Sequence, residues 1–244
     1  MTPLLLSDRL VRLRDKLSRK LAPMDRARVL KQMLLYCNSI NAWNACGHDE
    51  PFLAKDVVDA RTGVAVGEEA HKSATYDGIT PAQVEAIRAY SADGENGQYS
   101  KINGFYRRLA RGEETPPLGE GEQNTANRLD EMFRNASGLK SPVRVYRGLS
   151  SASVVRASLE KRRYLDPGFT SASTELLPAM VYAGEVKAVL VLELPKGYKA
   201  VSICKMSRNP QEKEILLPRD VAFEVLDADD EAYNGYTLIY GRPL

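Results

Sequence analysis

The sequence predicts an α+β fold, helical in its first part and strand-rich in its second, on three observations. Apolar residues recur at helical spacing through much of the first 135 positions, short apolar and β-branched runs take over after Ser141-Pro142, and the two regimes scarcely interleave.

In chain order, Leu6, Leu10, Leu13, Leu17 and Leu21 form a narrow helical stripe, with Arg9, Arg12, Lys16, Arg19 and Lys20 along one flank. That basic flank fits a solvated face, or a docking surface for an acidic partner, RNA or a membrane. After Pro23, a second helix is predicted from Ala27, Leu30, Met33, Leu34 and Cys37. Residues 38–73 carry Gly47, Pro51, Gly63 and Gly67 without a sustained period and read as a loop-rich connection. Thr80-Pro81-Ala82-Gln83 then combines an N-cap, a first-turn proline and a capping-box glutamine, and starts a helix through Val84, Ile87 and Tyr90. Two more helices are predicted over 98–111 and 124–135, separated by a Gly- and Pro-rich stretch over 112–121. Strands are predicted over 143–146, 186–194, 200–203, 215–217, 221–225 and 236–240.

Composition narrows the function classes. A chain of 244 residues with 43% hydrophobic content can bury a sizeable core. Its formal charge of +2, from 34 basic and 32 acidic residues, gives no overall drive toward nucleic acid or membrane. Cys37, Cys46 and Cys204 with only His48 and His71 favour neither a disulfide framework nor a standard zinc site, so no metal is expected, and the compartment reads as reducing. With no apolar run near ~18 residues and no cleavable secretory signal, the expectation is no transmembrane segment and a cytoplasmic protein.

Three short features in the strand-rich half bear polar groups suited to chemistry. Val145-Tyr146-Arg147-Gly148 ends a short strand with a guanidinium fork suited to phosphate, followed by a glycine that admits close approach. In Gly168-Phe169-Thr170-Ser171-Ala172-Ser173, extended geometry puts the hydroxyls of Ser171 and Ser173 on one face, where they can orient a neighbour or cap the next helix around Ala179, Tyr182 and Ala183. Glu212-Lys213-Glu214 leads into Ile215-Leu216-Leu217-Pro218, and period-two geometry predicts both carboxylates on one side of the chain. Such a pair can divide its work, one carboxylate stabilising a cation and the other orienting a nucleophile, or can be a solvated strand face.

Taken in order, Arg147, Ser171 to Ser173 and Glu212 to Glu214 resemble the Arg, Ser-Thr-Ser and Glu-x-Glu pattern of mono-ADP-ribosyltransferases. The run 189–197 looks like that family's central strand and turn, and 80–111, with Tyr99 and Asn103, is similar to its helical entry. The resemblance covers about residues 75–244. It includes bacterial toxins and effectors and the T-even phage enzymes.

The resemblance implies a split β-sandwich of two small sheets enclosing an NAD cleft, with residues 76–244 as catalytic domain and 1–75 as a helical extension of unassigned role. NAD would be consumed as a substrate, and the acceptors would be arginines of host proteins in the target-cell cytoplasm. Arg147 would grip an NAD phosphate, and Gly148 would offer backbone hydrogen bonds to the nicotinamide amide. Ser173, Tyr99 and Asn103 join them as cofactor-binding residues. Ser171 would aim Glu214, Glu214 would stabilise the cationic ribose, and Glu212 would orient the acceptor guanidinium.

Two departures stand out: Ala172 replaces the middle threonine, and residues 205–210 lack the aromatic that many relatives set against the acceptor. An NAD glycohydrolase and a non-catalytic RNA- or protein-binding module on the same fold are the alternatives.

Overall fold

In the computed structural model, which describes residues 64–92, 97–233 and 235–244, the strand-forming runs assemble into one mixed sheet. The chain divides between Thr62 and Gly63, and the described residues all lie in the second unit. The two helices predicted before residue 38 lie outside the described residues.

Among the described residues four helices come first. Helix α1 spans Gly67–Ser73, α2 Pro81–Tyr90, α3 Tyr99–Ala110 and α4 Glu120–Asn135. The capping box at α2 is formed in full: Thr80 accepts from the Gln83 amide, and Gln83 accepts from the Thr80 amide. Helix α4 begins earlier than its apolar spacing predicts and takes in Gly121. Glu120 and Glu122 in its first turn complement the helix dipole and offset the glycine. Helix α1 falls within the segment predicted as loop; its seven residues are too few for a period, yet Ala70 and His71 are buried.

The second half runs β1 Val143–Leu149, α5 Ala152–Glu160, β2 Arg163–Asp166, β3 Thr170–Ser173, α6 Leu176–Ala183, β4 Ala188–Leu194, β5 Val201–Ser202, β6 Glu214–Leu217, β7 Val221–Tyr233 and β8 Tyr236–Pro243. Strand order is β2-β7-β8-β4-β1-β3-β6-β5. The α+β class is as expected. The strands connect as a single sheet, but β1 and β3 meet at one register pair only, Tyr146 with Ser173.

One apolar cluster spans that joint, and a second packs the helices on the other face of β3 and β6. Val143, Val145, Leu190, Leu192, Phe223 and Ile239 pack with Ala172, Ile215 and Leu217 in one cluster. Ile87, Tyr90, Ile102, Leu129, Met132 and Phe169 pack with Leu216 in another. Alternate residues of β6 thus serve opposite clusters, which is why its whole Ile-Leu-Leu run is buried. Among the described residues no helix is long and apolar enough to cross a membrane.

Candidate active site

Phe169 organises the site. Its ring is fully buried, stacked on Phe133 with centroids 6.1 Å apart and edge-on to Tyr90 at 5.9 Å. Asn103 of α3 grips the Phe169 peptide from both sides: the amide nitrogen of Phe169 donates to Asn103 Oδ1 at 2.9 Å, and Asn103 Nδ2 donates to the Phe169 carbonyl at 3.1 Å and to the Tyr90 hydroxyl at 2.9 Å. A Cβ at Gly168 would stand 2.7 Å from Asn103 Oδ1, so the glycine is what lets this amide close on the strand. The buried Asn103 is thus bonded to protein partners through both its oxygen and its nitrogen.

This clamp sets the start of β3. Its register against β6 pairs Ser171 with Leu216 and Ser173 with Glu214. Directly paired side chains share a face, so Ser171, Ser173 and Glu214 stand together, Ser171 diagonal to the carboxylate. Ser173 Oγ accepts from the Glu175 amide at 3.0 Å and holds the turn into α6. Glu214 is buried, 5% exposed, as the first residue of β6.

Arg147 reaches the same strand from β1. Its Nη1 donates to the Ser171 carbonyl at 2.6 Å, its Nε to the Tyr164 hydroxyl at 2.9 Å and its Nη2 to Asp166 Oδ2 at 2.8 Å. Asp166 also takes a two-pronged pair from Arg107 of α3, Nε to Oδ1 at 2.9 Å and Nη2 to Oδ2 at 2.8 Å. The Tyr164 hydroxyl at 3.1 Å and the Gly168 amide at 3.0 Å complete its shell. Burial pushes the Asp166 carboxyl up, but Arg147 and Arg107 outweigh it and hold it below the usual carboxylate range. Two guanidiniums around one carboxylate leave a fixed surplus of positive charge at the ends of β1 and β2.

The acidic pair is brought together by a different geometry from the predicted one. Pro210–Glu212 is a 3-10 turn and Lys213 is left-handed at φ 50°, so only Glu214 is in the strand. Period-two extension therefore does not align the carboxylates; the proline starts a turn and the turn does it. Glu212 Oε1 accepts from the Tyr182 hydroxyl of α6 at 2.7 Å. Burial raises the Tyr182 pKa, and Glu212, Glu214 and Tyr99 raise it further, which places all four groups within mutual influence. Tyr182 is about half exposed, and its hydroxyl is bonded to Glu212.

Tyr90 links the two halves of the site. Burial and the Glu214 charge raise its pKa, while hydrogen bonds with Asn103 and Ser171 and the charge of Arg147 oppose them. Tyr99 packs edge-on to Tyr90 at 6.5 Å and is 48% exposed. Arg147, Ser171, Glu214, Glu212, Tyr99 and Asn103 are therefore gathered in one place.

Gly148 is close by for a packing reason. A Cβ there would lie 2.1 Å from the Ala179 carbonyl oxygen and 2.5 Å from the Ala183 nitrogen, so α6 rests on bare β1 backbone. Sequence reading missed Arg107, Tyr164, Asp166 and the hydroxyl of Tyr182. Asp166 stands before Pro167-Gly168 and looks like an ordinary turn residue, and Arg107 is one of several basic residues on α3.

A separate groove of about 500 Å³ lies along the other side of α3, lined in part by Lys101, Phe105, Arg108, Pro117 and Glu122, and holds none of these groups. Among the described residues no cluster of three or more His, Cys, Asp or Glu side chains suits a metal ion.

Comparison with known proteins identifies the fold and the family. A search by sequence among curated proteins finds no match. The structure is similar to C3stau2 from S. aureus, solved with NAD, at 23% identity and a TM-score of 0.54 over 78% of this chain and 96% of that one. It is similar to exoenzyme S from Pseudomonas aeruginosa, solved with human 14-3-3 protein beta and carba-NAD, at 18% identity and a TM-score of 0.54 over 88% of each chain. It is similar also to the ADP-ribosyltransferase Vis, solved with agmatine, at 17% identity and a TM-score of 0.52 over 81% and 88%. At these identities the likeness shows the fold. The model of the ADP-ribosyltransferase exoenzyme family matches residues 65–240, nearly the whole of the described unit, and on that match the chain belongs to this family.

Proposed function

We propose that the chain transfers ADP-ribose from NAD to arginine side chains of host proteins and releases nicotinamide. The observation that carries this reading is the placement of two glutamates with unlike surroundings. Glu214 is buried beside Ser171 and Tyr90, whereas Glu212 sits on a turn with its carboxylate held by Tyr182. Unlike environments suit unlike tasks.

The positive surplus of Arg107 and Arg147 over Asp166 suits a pyrophosphate, and in this reading the glycosidic bond of the dinucleotide lies toward Glu214. Glu214 stabilises the positive charge that develops on the ribose as the bond to nicotinamide breaks and nicotinamide leaves with the electron pair. Glu212 orients the incoming guanidinium, whose nitrogen bonds to the ribose carbon, and accepts the proton released. Asn103 and Ser173 act by holding β3 and its turn, and Gly148 acts by admitting α6. Tyr99 supplies an exposed ring at the edge. Agmatine, seen with the relative Vis, presents the same guanidinium as arginine and is consistent with this acceptor class. The catalytic domain in this reading takes in the whole unit from Gly63, earlier than residue 76, with residues 1–62 as an extension of unassigned role. The two sides of the narrow β1–β3 joint correspond to the two small sheets.

The test is incubation of the full chain with labelled NAD, agmatine and a host lysate. Glu214→Gln is expected to lower both NAD cleavage and transfer by roughly 10²–10³-fold, the scale for removing a preorganised electrostatic group. Glu212→Gln is expected to lose transfer to the guanidinium while keeping part of the NAD cleavage. Label at wild-type level with Glu214→Gln removes the mechanism, and full transfer by Glu212→Gln contradicts the role given to Glu212.

A further inference from the structure

We infer that the Tyr182 hydroxyl is a positioning group for the acceptor-facing glutamate, and so sets how well the site accepts a guanidinium instead of water. This rests on the transferase reading above. Tyr182 lies on α6, a different element from the turn carrying Glu212, and its hydroxyl donates to Glu212 Oε1 at 2.7 Å.

The Glu212 turn is held from two directions. On its N-terminal side, Asn209 Nδ2 donates to the Ser91 carbonyl at 2.8 Å, the Arg208 amide donates to Ser91 Oγ at 3.1 Å, and Cys204 Sγ approaches the Pro210 carbonyl at 3.1 Å. The two Ser91 contacts fix the backbone to the end of α2, and the Cys204 contact closes the loop on itself. A glutamate side chain still has rotamer freedom on a fixed backbone, and the Tyr182 hydrogen bond restrains it. The restraint reaches Glu212 because α6 rests on Gly148 with no Cβ between them.

The hydroxyl remains a donor across the working pH range, since burial and the neighbouring Glu212 and Glu214 charges all raise its pKa. The loop 205–210 has no aromatic residue of its own, and Tyr182 brings a half-exposed ring to that side from another part of the chain. A guanidinium needs a carboxylate of fixed direction for a two-pronged contact, whereas a water molecule is satisfied by many orientations. Restraining Glu212 therefore favours the guanidinium selectively.

The test uses the full chain and Tyr182→Phe, which keeps the half-exposed ring and removes only the hydroxyl. Transfer to agmatine and release of free ADP-ribose are measured in parallel, with separate kcat and KM for agmatine. The ratio of transfer to hydrolysis is expected to fall roughly tenfold, chiefly through a higher KM for agmatine, the scale for a lost hydrogen bond to a charged group. In a Glu212→Ala background, where NAD cleavage is the activity left to read, the same substitution is expected to leave the release of free ADP-ribose unchanged, because the hydroxyl then has no Glu212 carboxylate to hold.

Proportional loss of transfer and hydrolysis overturns the inference, as does an unchanged ratio or a changed release of free ADP-ribose in the Glu212→Ala background, while the transferase reading stands. A wild-type chain that cleaves no NAD, or cleaves it without transfer, overturns the transferase reading and this inference together.

Discussion

Asp166 is the residue on which the cationic side of the site depends. It is 3% exposed and accepts from Arg107, Arg147, Tyr164 and the Gly168 amide, so its charge is compensated within its own shell. A buried pair loses most when one partner goes and the other is left uncompensated. Asp166→Asn is therefore expected to lower stability by about 3–5 kcal/mol and to release Arg147 from β3, read by urea unfolding together with the KM for NAD. Loss under about 1 kcal/mol would mean that the two guanidiniums do not need the carboxylate. Tyr164 has a lesser version of the same part: it accepts from Arg147 while donating to Asp166, and so passes orientation between them.

At the scale of elements, α6 and β1 form the joint that brings Tyr182 to Glu212. Their contact is backbone on backbone, and Ala179 and Ala183, one turn apart, leave room for it. Gly148→Ala would insert a methyl where the nearest backbone atom is 2.1 Å away, and backbone has no rotamer with which to yield. The expected result is a destabilisation of about 1–3 kcal/mol, with a fall in the transfer-to-hydrolysis ratio in the same direction as Tyr182→Phe. Thermal unfolding and the two product assays read this; stability lost with an unchanged ratio would separate α6 packing from acceptor choice.

Across the whole molecule, the sheet is thinnest where the chemistry is gathered, at the single pair joining β1 to β3. Helix α1 braces the β3-β6-β5 side of this weak line by a polar route. His71 is bonded through Nδ1 to Ser202 Oγ at 2.8 Å and through Nε2 to Thr174 Oγ1 at 3.1 Å, and the Thr174 amide donates to the Lys213 carbonyl at 3.0 Å. Burial lowers the His71 pKa below 6.5; Glu68 opposes this, and Lys213 and Lys205 add to it. The unfolded chain then binds the proton more readily than the folded one, so stability rises with pH in this window. The contribution is present in full above about 6.5 and is lost as pH falls from there through the folded value. The unfolding midpoint of the wild type should drop more between pH 7 and pH 5 than that of His71→Gln. Parallel curves would show that His71 titrates alike in both states.

Local chemistry made much of this legible in the sequence. The capping box at Thr80 is satisfied by residues three apart, and the run 188–192 is apolar throughout because β4 lies between β8 and β1 with both faces covered. The ordered polar features around Arg147, Ser171 and Glu214 were likewise readable, because each is a short word fixed within a few residues. Helix α5 and strands β2 and β3 were not resolved as elements, since Arg163–Asp166 and Thr170–Ser173 are too short and too polar to show a period. Tertiary structure alone decided that Arg107 shares Asp166 with Arg147 across 59 and 19 positions, and that Tyr182 meets Glu212 across 30. Spacing along a chain encodes which face a side chain takes, but the partner it meets depends on how distant elements pack. In this chain bare glycine backbone and a proline-started turn settled that packing.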